Sequence, residues 1–104
     1  MYLTMNRFKV KIGHEDQFEE VWATRDSHLA DVPGFMAFHL MKGPERDGYR
    51  LYASHTMWKS EAAFAEWTRS EAFRAAHRGA GSHREIYLGA PELETFESVQ
   101  SLMP

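Results

Sequence analysis

The chain reads as an α+β fold, with helices on one face of an antiparallel sheet. Two observations predict it. Residues 1–11 and 35–58 alternate at a period of two and are broken by turn residues, whereas the stretches after Gly13 and after Lys59 repeat apolar residues every three or four positions. The resulting order is strand, helix, strand, strand, helix, strand. With 104 residues, 43% of them hydrophobic, including seven Phe, four Tyr and three Trp, residues 1–104 are expected to form one domain with a substantial core.

Met1 to Lys11 alternates as a strand, with Tyr2, Thr4, Asn6, Phe8 and Val10 on one side and Leu3, Met5, Arg7 and Lys9 on the other. Asn6 is thus a polar amide on a face that otherwise turns apolar. Gly13 breaks the strand, and His14-Glu15-Asp16 opens a helix with acid near its positive end. Phe18, Val21, Trp22, Arg25 and Leu29 mark one face of that helix. Val32-Pro33-Gly34 makes a turn. Phe35 to Lys42 and Tyr49 to Trp58 follow as two strands, joined by a hairpin loop over Gly43 to Gly48. In the first of these, Phe35, Ala37, His39 and Met41 alternate with Met36, Phe38 and Leu40, so both faces are largely apolar. A sheet with helices on one face and bare apolar side chains on the other favours association, which predicts a homodimer packed sheet to sheet about a two-fold axis.

The second helical stretch lies within Trp58 to Gly81. Ser60 is a candidate N-cap, Glu61 adds charge of the right sign, and Phe64 and Trp67 share a face three residues apart. Thr68-Arg69-Ser70 weakens the helix, and Ser70 is placed to cap a second one from Glu71 to Arg78, with Phe73, Ala76 and His77 on one face. Gly79 and Gly81 stop it. In an unbroken helix Trp67 and His77 would stand about 80° apart at ~100° per residue. A break near Ser70 allows both to face one cavity. His83 to Pro91 reads as a loop or short extended piece, and Leu93 to Gln100 as a last strand. Together the elements make the split βαβ, or ferredoxin-like, plan.

Composition excludes several functions. The net charge of −3 gives no basic footprint for nucleic acid. The absence of cysteine removes disulfides, zinc–thiolate sites and a thiol nucleophile. No apolar run approaches the ~20 residues that span a bilayer, and no leader pattern opens the chain, so a cytoplasmic protein without a membrane partner is expected.

Taken singly, the chemistry-bearing residues have ordinary readings. A histidine at a helix end, such as His77, complements the helix dipole; an asparagine in a strand packs through hydrogen bonds; a tryptophan such as Trp67 fills a core or an interface. His39 and His55, on neighbouring strands, have no carboxylate at a metal-ligand spacing. His14 and His28 read as helix-surface groups, Trp22 and Trp58 as core, and Arg69, Arg74 and Arg78 as a solvated face or a landing site for a reductase.

Four pieces of the chain, however, resemble one known family. The strand with Asn6, the turn Val32-Pro33-Gly34-Phe35, the segment Trp58-Lys59-Ser60-Glu61-Ala62-Ala63-Phe64 and the segment Ala75-Ala76-His77 are similar to the IsdG-type heme-degrading monooxygenases of the antibiotic-biosynthesis-monooxygenase group, and most to their rhizobial-type members. The Pro-Gly-Phe turn and the Trp-Lys-Ser-Glu segment carry the fold; the trio Asn6, Trp67 and His77 carries the chemistry. The resemblance implies a dimeric α+β barrel with one heme site per subunit. It also implies that heme is both substrate and cofactor, with His77 the axial ligand of its iron, Asn6 across the iron from it, and Trp67 pressing on the porphyrin. O2 and an external electron donor, delivered by a reductase, complete the requirements. Phe64 and Phe73 are candidate walls, and Arg78, His83 and Arg84 a candidate rim. Two alternatives stay open: a cofactor-free monooxygenase of quinol-type substrates on the same fold, and a heme carrier without activity.

Overall fold

The structure, a computed structural model, describes residues 1–25, 28–76 and 84–104. Four strands, β1 (Tyr2–Lys11), β2 (Phe35–Arg46), β3 (Tyr49–Trp58) and β4 (Glu92–Glu97), form one antiparallel sheet in the order β2-β3-β1-β4. Helix α1 (Glu15–Thr24) follows β1, and α2 (Glu61–Thr68) and α3 (Glu71–Ala76) follow β3. The ferredoxin-like plan is therefore observed, with the second helical stretch divided in two.

Alternation decides which sheet face the helices cover. Tyr2, Thr4, Phe8 and Val10 of β1 are buried, as are Tyr52, Ser54, Thr56 and Trp58 of β3. These residues pair across the strands as Tyr2–Trp58, Thr4–Thr56, Asn6–Ser54 and Phe8–Tyr52. On this face the core falls into two clusters. One joins Phe8, Val10, Tyr52 and Ile86 to Phe18 of α1, with Trp22 and Leu40 against it. The other joins Tyr2, Leu29 and Trp58 to Ala63, Phe64 and Trp67 of α2, with Phe35 and Phe38 on its flank.

Local chemistry explains the breaks. The Ser60 hydroxyl accepts from the Ala63 N–H at 3.2 Å and starts α2. Ser70 both ends and restarts the helical stretch: its hydroxyl donates to the Trp67 carbonyl at 2.6 Å and accepts from the Phe73 N–H at 3.0 Å. At Gly34, with φ +85°, the chain passes so close to α2 that a Cβ there would lie 2.4 Å from the Ala63 side chain. The Lys59 N–H donates to the Gly34 carbonyl at 2.9 Å and fixes that approach.

Four sequence expectations need correction. Helix α1 stops at Thr24, because Arg25 is extended, so Leu29 is not on the α1 face; it is buried in the second cluster from the following loop. Strand β2 continues to Arg46 and turns on Asp47 and Gly48 alone, with φ 36° and 86°, the positive angles that a two-residue hairpin requires. A register shift between Phe35 and Ala37 places two residues opposite one, so Phe35 faces the helices with Phe38 and Leu40 rather than sharing a side with Ala37, His39 and Met41. The last strand spans Glu92–Glu97, not Leu93 to Gln100.

Among the described residues, no helix lies on the opposite sheet face. Ala37, His39 and Met41, Leu51, Ala53, His55 and Met57, and Leu3 and Met5 lie on it by register, with Phe96 opposite Leu3 on β4. Polar groups interrupt it at the Arg7–Glu94 ion pair and the His39–His55 pair, whose ring centres are 6.2 Å apart.

Candidate functional site

Between the two aromatic clusters the helix-facing side of the sheet turns polar. Two cross-strand rows separate the clusters: Phe38–Thr56–Thr4–Thr95 and Leu40–Ser54–Asn6–Leu93. In the first row the buried Trp58 indole N–H donates to the Thr4 hydroxyl at 3.1 Å. In the second row Asn6 is half-buried and Ser54 is 6% exposed. Among the described residues neither side chain has a hydrogen-bond partner. A carboxamide offers two N–H donors and an acceptor, and a hydroxyl one donor, so the row presents polar groups that a guest can engage.

The walls around this row are aromatic. Trp67 lies 5.4 Å from Trp58 and 4.8 Å from Phe73, ring centre to ring centre, and meets Phe73 edge-on. Phe64 packs on Trp58 at 5.9 Å and on Tyr2 at 6.0 Å. The break at Ser70 thus brings Phe73 of α3 onto the indole of α2, and Phe64, Trp67 and Phe73 belong to one aromatic group. On the α1 side, Trp22 stacks on Phe38 at 5.7 Å with the planes 16° apart, and the Arg25 guanidinium lies over the Trp22 ring at 4.5 Å. Burial pulls the Arg25 pKa below its ordinary value, with the nearby Tyr87 opposing the shift.

A cleft of about 300 Å³ opens between α1 and the edge strand β2. Trp22, Ala23, Phe38 and Leu40 line its apolar part, and Glu19, Lys42 and Tyr52 its polar end. Leu40, which lines the cleft, is the outer member of the Asn6 row and pairs with Ser54. At the polar end the Tyr52 hydroxyl donates to Glu19, whose carboxylate also pairs with Lys42 at 3.1 Å. The Tyr52 bond, and then Lys42, hold the Glu19 carboxyl below the usual carboxylate range. Burial, together with the same bond, pushes the Tyr52 phenol well up.

His77, Arg78 and His83 lie outside the described residues, so the axial-ligand and rim expectations rest on position alone: α3 ends at Ala76, one residue before His77. Ser54, Trp22 and Phe38 were not among the sequence candidates for the site. The signal for Ser54 is present in the alternation Tyr52-Ser54-Thr56-Trp58, where two small polar residues interrupt a buried face.

The family described as antibiotic biosynthesis monooxygenase matches residues 1–79. The chain belongs to that family. It is similar to the staphylobilin-producing heme oxygenase of Staphylococcus saprophyticus, 29% identical over 79 residues that make up 76% of this chain and 75% of that one. Among solved structures it resembles the heme-degrader MhuD from Mycobacterium tuberculosis with two hemes bound in its active site. That match has a TM-score of 0.73 and 30% identity, over 99% of this chain and 100% of that one. It also resembles SnoaB, a cofactor-independent oxygenase from Streptomyces nogalater, in a mutant form, with a TM-score of 0.70 and 28% identity over 97% and 95% of the two chains.

Proposed function

We propose that this family member is a heme-degrading monooxygenase that opens the macrocycle with O2 and external electrons and frees the iron. The observation that carries the reading is the half-buried carboxamide of Asn6, without a hydrogen-bond partner among the described residues, on the sheet between two aromatic clusters, in a chain whose relatives are named heme oxygenases. Heme is a wide apolar disc with an anionic edge, and a site for it needs aromatic walls with few, well-placed polar groups. Trp67 and Phe73, with Phe64 behind the indole, supply such walls from one side, and Trp22 and Phe38 from the other. The polar atoms of the Asn6 row lie on the floor between them, so the residues present fit the group.

Heme bound here would supply the iron at which oxygen is activated, and the electrons would come from a separate reductase. The chain's own part is placement. His77, the residue after α3, would hold the group through an imidazole nitrogen, a common ligand of heme iron. Asn6 would offer its amide N–H groups to the bound group without adding charge. Trp67, braced by Trp58 and Phe73, would pack against the ring and exclude water. Residues 1–104 act as one unit, working as a cytoplasmic homodimer in which the two uncovered sheet faces meet.

The likeness to SnoaB favours a second reading, a cofactor-free oxygenase of a flat organic substrate held on the same floor. One experiment separates the readings: hemin is titrated into the protein, the Soret band is followed, and a reductant is added in air. Bleaching with iron release is the expected result. Failure to form a complex would favour the cofactor-free reading, and a complex that is reduced without bleaching would identify a carrier.

A further inference from the structure

We infer that Ser54 is a second hydrogen-bond donor of the site, acting beside Asn6 on the small ligand carried on the open side of the bound ring. The inference rests on the heme reading above. Asn6 and Ser54 are direct cross-strand partners on the helix-facing side of the sheet. Such partners have Cβ atoms about 4.5–5.5 Å apart, close enough for an amide N–H and a hydroxyl to converge on one acceptor. Ser54 is 94% buried, from its 6% exposure, yet its hydroxyl has no partner among the described residues. Its neighbours on the same face of β3, Tyr52 and Thr56, explain why it is not simply core. Tyr52 sends its hydroxyl outward to Glu19, and Thr56 lies opposite Thr4 and Phe38, one row away from the carboxamide, so Ser54 alone of the three is the cross-strand partner of Asn6. Leu40 and Leu93, the outer members of the Asn6 row, have no polar side-chain atoms. The row therefore offers two adjacent donor side chains flanked by leucines, and a guest with one small acceptor above the floor meets both.

The geometry separates Ser54 from a packing role. A serine that only fills space is replaced by alanine without consequence for the guest, whereas a donor lost from a dry site weakens every anionic ligand held there. Azide is a suitable probe, because it binds the open side of a ferric heme without turnover. In the hemin complex, Ser54→Ala is expected to weaken azide binding roughly 3- to 10-fold, the effect of one net hydrogen bond. Hemin affinity and the thermal midpoint are measured alongside, so that a loss of azide binding is read in a folded, hemin-loaded protein. Ser54→Thr keeps the hydroxyl and should restore most of the azide affinity. Unchanged azide affinity in Ser54→Ala, in a protein whose Asn6→Ala variant does lose affinity, would overturn the Ser54 assignment while leaving the heme reading intact. A Ser54→Thr variant as weak as Ser54→Ala would also overturn it. If the unmodified protein forms no hemin complex, the heme reading falls and the Ser54 assignment with it.

Discussion

Asn6 and His77 make different demands on a test, because one is a donor without charge and the other a ligand. Replacing Asn6 with alanine removes two donors from the floor but leaves both aromatic clusters in place. Hemin should still bind, and the rate of Soret bleaching should fall by roughly 100-fold, the scale for losing one preorganised donor. His77→Ala should instead abolish both tight binding and turnover; normal bleaching in that variant would remove the ligand assignment. The Asn6 face was legible in the sequence because alternation in β1 is unbroken, and every residue that shares its parity is at least half-buried. The partner of Asn6 was not. Nothing in a sequence sets the register that puts Ser54, rather than Tyr52 or Thr56, across from it; that register is fixed by pairings along the whole length of β1.

At the scale of elements, the break between α2 and α3 determines which side chains meet. Because the Ser70 hydroxyl bonds both Trp67 and Phe73, Ser70→Ala should lower stability by about 1 kcal/mol, measured by denaturant unfolding, and should loosen hemin binding through the segment that leads to His77. The packing of α1 on β3 carries a pH signature. The Glu19 carboxyl is held below its ordinary pKa by Tyr52, so its contribution is present above the unfolded value near ~4.3 and is lost as pH falls through the lower folded value. Tyr52 has the opposite sign: its raised pKa stabilises the fold below ~10, and that stabilisation is lost as pH rises through the higher folded value. Melting midpoints across pH should therefore decline at both extremes, and Tyr52→Phe should flatten both limbs. An unaltered profile in that variant would show that the bond contributes nothing. The Ser70 break could be read from Thr-Arg-Ser, residues that favour caps over helix interiors. The true extent of β2 could not. Gly43 and Pro44 resemble loop residues, yet β2 is an edge strand, where proline sacrifices no ladder bond, and a second register shift accommodates them.

For the molecule as a whole, the uncovered sheet face is the open question that chemistry can answer. Methionine, leucine and alanine dominate it, Met41 is 55% exposed and Phe96 46% exposed, and the Arg7–Glu94 and His39–His55 pairs interrupt it, with Lys9 and Glu92 towards its ends. Sedimentation should give twice the chain mass of 12.1 kDa at micromolar concentration. A glutamate at Met57, between Ala37 and Leu3 on that face, should shift the population to monomer, because each subunit would then bury an unpaired carboxylate against the other. A single-chain mass for the unmodified protein would refute the association. Here too the sequence carried the decisive pattern, since alternation left both sides of β2 apolar. It misassigned Phe35, because one extra residue at Met36 moves a side chain to the other face without changing the composition.

The contact at Gly34 has a mechanical consequence. A methyl group there cannot fit against Ala63 without moving one of the two backbones, and the positive φ of Gly34 resists relief on its own side. Helix α2 must give way at its first turn, and it is short and rigid, so the far end swings with it and carries the Trp67 indole. Gly34→Ala would thus act as a shim, changing the gap available to a flat guest from a point that touches no guest. Its trace should be an altered Soret position in a protein that still folds, with the tryptophan emission displaced in step.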